Sequence, residues 1–278
     1  MANKVVTSPA NPLIKRIAKL RASRKQREFD QSFVLSGHAL ATEAVASRAS
    51  PLVVRTALIA PGFSLPEGVH LTSEAITVSP NALSKAAGVD RVLGDLGCLL
   101  EIPLPTLVSS GSELAKPGHH SVVLCGVSDP GNCGTLQRSA SALGWSGCIA
   151  SSGCADIFAD KTIRASRGAP LKLQQLGARI DAADVLQQAR SAGAHVMVAN
   201  ESLRDALSVN DTANMVKSTE AATNSKGVVL ALGSEGEGVP DDALKHASQT
   251  VAIRTPNGDG SPLNVSAAGA ILMYALAP

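Results

Sequence analysis

The sequence predicts an α/β protein built as two domains. Short apolar runs of strand type alternate with segments of helical periodicity along most of the chain. A stretch rich in Pro, Gly and Ser, from Pro103 to His120, interrupts that alternation near the middle. The 278 residues are long for one core and comfortable for two. The expected division is a first domain over 1–105, a linker over 106–120 and a second domain over 121–278.

The first domain opens with a helix. Asn11-Pro12 starts it, and Leu13, Ile14, Ile17 and Leu20 form an apolar stripe at helical spacing. Ser32 to Ser36 reads as a strand broken by Gly37, Ala39 to Ala46 as a helix, and Leu52 to Ala60 as a strand closed by Pro61-Gly62. In the second domain, strand-type runs stand at Val122–Val127, Cys148–Ala150, His195–Ala199, Val228–Leu232 and Val251–Ile253. Two intervening helices are predicted over Thr135–Leu143, stopped by Gly144, and over Ala182–Ala192, between Asp181 as N-cap and Gly193. Such alternation implies a mostly parallel sheet covered on both faces, whose ligands collect at the carboxyl ends of its strands. The polar stretch Asn210 to Lys226 reads as a mobile surface loop.

Composition excludes several classes. The hydrophobic and charged fractions describe an ordered soluble protein. One Trp, one Tyr and four Phe are too few for rows of rings that stack single strands. Five cysteines with no Cys-x-x-Cys pair indicate neither a disulfide framework nor a zinc site, so no metal is expected and a reducing compartment fits. No apolar run reaches the ~18 residues of a membrane span, and no signal-peptide core opens the chain, so neither a membrane partner nor secretion is expected. The Arg-rich, acid-poor start imitates an organellar transit peptide, which leaves cytoplasm, mitochondrion and plastid open. Net charge is only +2, yet Lys4, Lys15, Arg16, Lys19, Arg21, Arg24, Lys25 and Arg27 fall in one acid-free stretch. That stretch is a candidate phosphate-contacting surface, and a solvated helix face is the plain alternative.

Three segments carry candidate chemistry. Asp129-Pro130-Gly131-Asn132-Cys133-Gly134 follows the first strand of the second domain, and Arg138 on the helix after it points away from the buried Leu136 stripe. An Asn, flexible glycines and a cation suit a ribose or phosphate; a turn or cap for Asn132 and a solvated Arg138 are the ordinary alternatives. Gly233-Ser234-Glu235-Gly236-Glu237-Gly238 lets backbone approach a ligand. Its two carboxylates would repel a pyrophosphate and its glycine order is wrong for a dinucleotide fold, which disfavours a dehydrogenase. The third segment runs from Ile253 through Leu263-Asn264 into a helix of small apolar residues, a helix suited to burial in the domain or between subunits. Capping is the ordinary role for Asn264.

Taken in order, the three segments resemble the SpoU (TrmH-type) family of RNA ribose methyltransferases. The pattern Asn-x-Gly-x-x-x-Arg is met by Asn132, Gly134 and Arg138, and Gly-x-Glu-Gly-x-Gly by Gly233, Glu235, Gly236 and Gly238. Leu263-Asn264-Val265-Ser266 before a small-residue helix meets the third motif. The segment Asp156 to Gly168, with Lys161, Arg164 and Ser166, and the opening Ser8 to Arg16 are similar too. The resemblance implies a SPOUT-type, trefoil-knotted C-terminal methyltransferase domain and a smaller N-terminal L30e-like α/β domain that grips RNA. It further implies a homodimer with the active site near the subunit interface, and S-adenosylmethionine as cofactor. Site roles follow by resemblance: Arg138, Asn132, Glu235 and Asn264 in catalysis, and Gly233, Ile253 and Leu263 in cofactor binding. Lys15, Arg16, Arg21, Arg24, Lys25 and Arg164 are the candidate RNA contacts.

The implied reaction is methylation of a ribose 2'-hydroxyl in ribosomal or transfer RNA. Two departures touch the third motif. Pro262 stands where the family has Ser, with Ser261 one place earlier, and Ile253-Arg254-Thr255-Pro256 replaces the usual Ile-Pro entry. Proline has neither hydroxyl nor backbone donor, so a role of that serine passes to Ser261 or is lost. The second reading, an RNA-binding or ribosome-assembly factor that keeps the fold with little or no methyltransferase activity, draws its support from Pro262.

Overall fold

The computed structural model describes residues 5–46, 50–73, 75–89, 96–175, 180–200, 207–208, 227–253 and 263–278. The Asn210 to Lys226 loop and the Arg254 to Pro262 part of the third segment therefore lie outside the described residues. The described chain forms two compact units, one of Met1–Pro105 with Phe158–Lys172, the other of Thr106–Ile157 with Leu173–Pro278.

In the first unit, the opening basic stretch is two helices rather than one. Helix α1 (Pro12–Ala22) is N-capped by Asn11, whose side chain accepts from Leu13 N, and α2 (Arg24–Asp30) starts at Ser23. Ser23 ends one helix and begins the next: its N–H donates to Lys19 O while its Oγ accepts from Gln26 N. Ile14, Ile17 and Leu20 are fully buried, as the stripe predicts. Strand β1 (Ser32–Ser36) and helix α3 (His38–Ala46) follow. The run Leu52 to Ala60 is not one strand: β2 (Leu52–Val54) pairs in parallel with β4 (Val69–Leu71), while β3 (Thr56–Ile59) enters the main sheet. The chain changes sheets at Arg55, whose guanidinium donates to Asp30 O at 2.6 Å and whose carbonyl accepts from Ser73 Oγ. With β5 (Ala75–Thr77) and β6 (Cys98–Pro103) the main sheet has the order β1-β6-β3-β5, and α4 (Pro80–Ala87) packs into its core.

The segment Phe158–Lys172, expected within the second domain, is part of this first unit. It carries α6 (Asp160–Ser166), which follows α5 (Pro130–Ala142) of the second unit in the chain. Phe158 packs on Phe33 with ring centroids 5.1 Å apart, Asp160 accepts from Ser36 Oγ at 3.0 Å, and Arg167 pairs with Glu43. An aromatic contact and two polar ties outweigh the sequence neighbourhood.

The expected linker is likewise structured. Thr106–His119 belongs to the second unit, and a 3-10 turn, Gly111–Leu114, buries Leu114 in that unit's core. Ser110 Oγ and Gly111 N both donate to Gln188 Oε1, at 2.8 and 2.9 Å. A Cβ at Gly111 would sit 2.3 Å from Val185 O, so only glycine allows that approach. Prolines and serines there serve turns and caps, which composition alone does not separate from a linker.

The second unit is a six-stranded, all-parallel sheet in the order β10-β12-β9-β11-β7-β8. Its strands are β7 (His120–Cys125), β8 (Gly147–Ala150), β9 (His195–Ala199), β10 (Leu207–Ser208), β11 (Val228–Gly233) and β12 (Gln249–Ala252). Among the described residues its helices are α5 (Pro130–Ala142), α7 (Ala182–Ser191), α8 (Asp241–Leu244) and α9 (Val265–Ala275). The central strands β7 and β11 are buried almost throughout, as a parallel sheet covered on both faces requires. Helix α9 buries Val265, Gly269, Leu272 and Met273 but leaves Ile271 and Tyr274 exposed, so it is not buried all round.

Candidate active site

All three candidate segments sit at carboxyl ends of this parallel sheet, each placed by its own local chemistry. The first is not a free loop. Asp129, rather than a residue near Thr135, caps α5: its Oδ1 accepts from Asn132 N at 2.7 Å, and Pro130 occupies the first turn. Asn132 is therefore fixed in the opening turn of a helix that starts at Pro130, five residues ahead of the expected Thr135. The spacing Asp129-x-x-Asn132 before a helical stripe carried that signal.

The second segment follows β11. Gly238 N donates to Ser234 O and Glu237 N to Ser234 Oγ, at 2.9 and 3.2 Å, closing a tight turn with Gly238 at φ +68°. At Gly233 a Cβ would lie 2.0 Å from the Gly238 carbonyl carbon and 2.2 Å from Val239 N. Backbone cannot yield as a flexible side chain can, so Gly233 is required for the turn itself. Gly236 has open space where a Cβ would go.

The third segment enters α9. Asn264 is its N-cap, with Oδ1 accepting from Ser266 N at 2.9 Å. The helix is anchored behind the cap: Trp145 Nε1 donates to Met273 O at 3.0 Å, and Gly269 lets Leu136 and Leu232 pack close. Because Oδ1 faces the helix amides, the Asn264 amide group faces outward. Its Nδ2 donates to Glu235 Oε1 and, at 3.3 Å, to Asn132 Oδ1. Asn132 Nδ2 donates to the same Glu235 oxygen at 3.2 Å. The three polar residues of the three motifs thus form one closed hydrogen-bonded cluster, across separations of 103, 29 and 132 residues. Capping, the ordinary role for Asn264, is what aims its amide group at the cluster. Asp129 and Ser266, given no role from sequence, are the residues that orient two of its members.

Two of the cofactor candidates, Gly233 and Ile253, leave the sheet at nearly the same level. Ala231 and Thr250 both register against Val198 of β9, so two residues further on Gly233 and Ala252 reach the sheet edge together and Ile253 follows. Gly233, Ile253 and Leu263 are each half-buried. Arg138 is exposed on α5, and its side chain makes no hydrogen bond or ion pair among the described residues. Six residues beyond Asn132, it lies about 9 Å along the helix axis from it, outside the cluster. Cys133, beside Asn132, is buried, and burial pushes its thiol up to about 12, which excludes a thiolate nucleophile here. No group of three or more potential metal ligands occurs among the described residues.

A sequence model of the SpoU rRNA methylase family matches residues 119–274, which takes in every member of this cluster. The chain belongs to that family. It is 25% identical over 273 residues to the 23S rRNA (guanosine(2553)-2'-O)-methyltransferase RlmP of Bacillus subtilis, covering 98% of this chain and 99% of that one. Among solved structures, the AdoMet-bound rRNA methyltransferase of Sinorhizobium meliloti matches with a TM-score of 0.74 at 25% identity, over 98% of this chain and 97% of that one. A TrmH-family protein of Porphyromonas gingivalis shares the fold with a TM-score of 0.74 at 24% identity, over 96% and 97% of the two chains. Family membership brings its chemistry: S-adenosylmethionine-dependent 2'-O-methylation of RNA.

Proposed function

We propose that this chain methylates a ribose 2'-hydroxyl of ribosomal or transfer RNA at the Asn132–Glu235–Asn264 cluster. The observation that carries the assignment is the closure of that cluster from three distant motifs at the carboxyl ends of parallel strands. Gly233, Ile253 and Leu263 fit S-adenosylmethionine: half-buried backbone groups suit an adenine, aliphatic side chains suit the methylene groups of the methionine chain, and the Glu235 carboxylate, two residues from Gly233, complements a sulfonium cation. When bound, that cofactor supplies an electrophilic methyl group.

The protein's own part is alignment and charge. Asn132 and Asn264 hold Glu235 in one orientation, so the nucleotide meets a preset pattern of donors and acceptors. Arg138 acts on the attacking oxygen or the adjacent phosphate. A guanidinium is a poor base, so it stabilises the negative charge that develops on the 2'-oxygen.

The first unit is the L30e-like RNA-binding domain in this reading. Of the candidate RNA contacts there, Arg16, Arg21, Arg24 and Arg164 already hold Glu101, Asp160, Glu28 and Asp160 respectively. Lys15 and Lys25 are exposed and make no such pair among the described residues, so they carry the phosphate-contacting role. The second unit is the trefoil-knotted methyltransferase domain, and the exposed Ile271 and Tyr274 of α9 belong to a homodimer interface. Five free cysteines suit a reducing compartment, cytoplasmic or organellar.

The deciding measurement incubates the purified chain with methyl-labelled S-adenosylmethionine and total RNA from cells lacking it, then maps 2'-O-methylation. Label at one ribose position is the expected result. Cofactor binding without any ribose label would point instead to an assembly factor.

A further inference from the structure

Phe29 is the most exposed large hydrophobic side chain of the described residues, at 83%. Phe33, Phe158 and Trp145 are buried, and Phe63 packs against His38. Helix α2 therefore holds a ring in water in a protein that has few rings to spend, where hydrophobic burial would favour the opposite.

The surroundings say what that ring is for. Lys25 lies one helical turn before Phe29 on the same face of α2. Lys15 and Lys19 are exposed together on α1. Among the described residues none of these three lysine side chains has a hydrogen bond or ion pair, whereas Arg24 and Glu28 neutralise each other. The two helices are tied to each other by side chains. Buried Arg27 of α2 donates from Nη1 to Leu20 O and Arg21 O at 2.9 and 2.7 Å, gripping the last turn of α1. Asp30, at the far end of α2, accepts from Arg16 at 3.3 Å, and Arg16 also binds Glu101 through both Nη atoms, at 2.9 and 2.5 Å. Ring and cations are thus presented on a scaffold whose own charges are satisfied internally.

We propose that Phe29 is a stacking platform for one unpaired base of the RNA, with Lys25, Lys19 and Lys15 taking the phosphates beside it. This rests on the reading of the substrate as RNA. A duplex offers phosphates but no free base face, so the pairing of one exposed ring with free cations selects a looped or single-stranded target. One ring suffices here; the scarcity of aromatics argues only against long stacking rows.

The test uses the full chain and two labelled RNAs, a hairpin with a heptanucleotide loop and a blunt duplex of the same stem. Phe29→Ala weakens hairpin binding about 5- to 100-fold, leaves duplex binding and the salt dependence of binding unchanged, and keeps the wild-type circular dichroism. Phe29→Trp restores affinity, and its added indole emission is quenched by the hairpin, whereas Phe29→Leu restores neither. Lys25→Gln instead lowers the salt slope by roughly 0.7–0.9. Equal binding of both RNAs by Phe29→Ala and wild type overturns the proposal, as does a change of sedimentation coefficient in Phe29→Ala, which would make the ring a contact between copies. Failure of the wild type to bind or methylate any RNA would remove the functional reading itself, a result distinct from either.

Discussion

Gly233 and Gly236 stand three residues apart in one motif, yet only one of them is required by the backbone. Gly233→Ala forces a methyl group against the Gly238 and Val239 backbone, so a loss of about 1–3 kcal/mol of stability is expected, together with weakened S-adenosylmethionine binding. Gly236→Ala meets open space and stays within about 0.5 kcal/mol of wild type. Thermal melts and titration calorimetry on the pair check this; equal loss in both would mean that the turn geometry is not what the motif protects. Arg138 gives the complementary case. It is exposed and makes no described contact that folding would miss. Arg138→Ala is therefore expected to melt like wild type, bind cofactor normally and lose methyl transfer by at least about 100-fold. Equal loss of cofactor affinity would defeat its assignment to the nucleotide.

At the scale of elements, α9 joins stability to the site through a single residue. Asn264 caps the helix with its Oδ1 and reaches Glu235 and Asn132 with its Nδ2. Asn264→Ser keeps a capping oxygen but loses the donor, whereas Asn264→Ala loses both. Stability should then fall by about 0.5–2 kcal/mol in the alanine variant only, while methyl transfer falls in both. Activity retained in Asn264→Ser would show that the cap alone matters. The sequence made much of this legible, because parallel strands and their terminal glycines follow from local pattern, and β1 and β9 have the predicted bounds. Two local caps are written in the sequence but are masked by the apolar pattern: Asp129 starts α5 at Pro130, and Ser23 serves two helices at once and splits α1 from α2. Long-range competition was not legible. The segment Phe158–Lys172 joined the first unit through the Phe33 ring and the Asp160 carboxylate, partners more than a hundred residues away.

For the whole molecule, the two units answer acid at different pH because each buries a different titratable group. In the first unit, burial would raise the Glu101 carboxyl, but hydrogen bonds from Arg16, Thr56 and Ser32, with the Arg16 charge, outweigh it and hold the group below its ordinary 4.5. In the second unit, burial holds His195 at the start of β9 below its ordinary 6.5. The signs agree and the windows differ. A depressed histidine favours the neutral form in the folded state, so the unfolded chain binds the proton first, and stability falls as pH drops below about 6.5. A depressed carboxyl favours the ionised form when folded, so its contribution is complete above 4.5 and is lost as pH falls through the lower folded value. Melting followed from pH 8 to pH 3 should decline in two stages, the histidine stage first. His195→Gln is expected to flatten the upper stage and leave the lower one, while Glu101→Gln costs stability at neutral pH by leaving Arg16 without its bidentate partner and flattens the lower stage. If His195→Gln retained the full decline between pH 7 and pH 5, the upper stage would belong to another group and the burial of His195 would not control it.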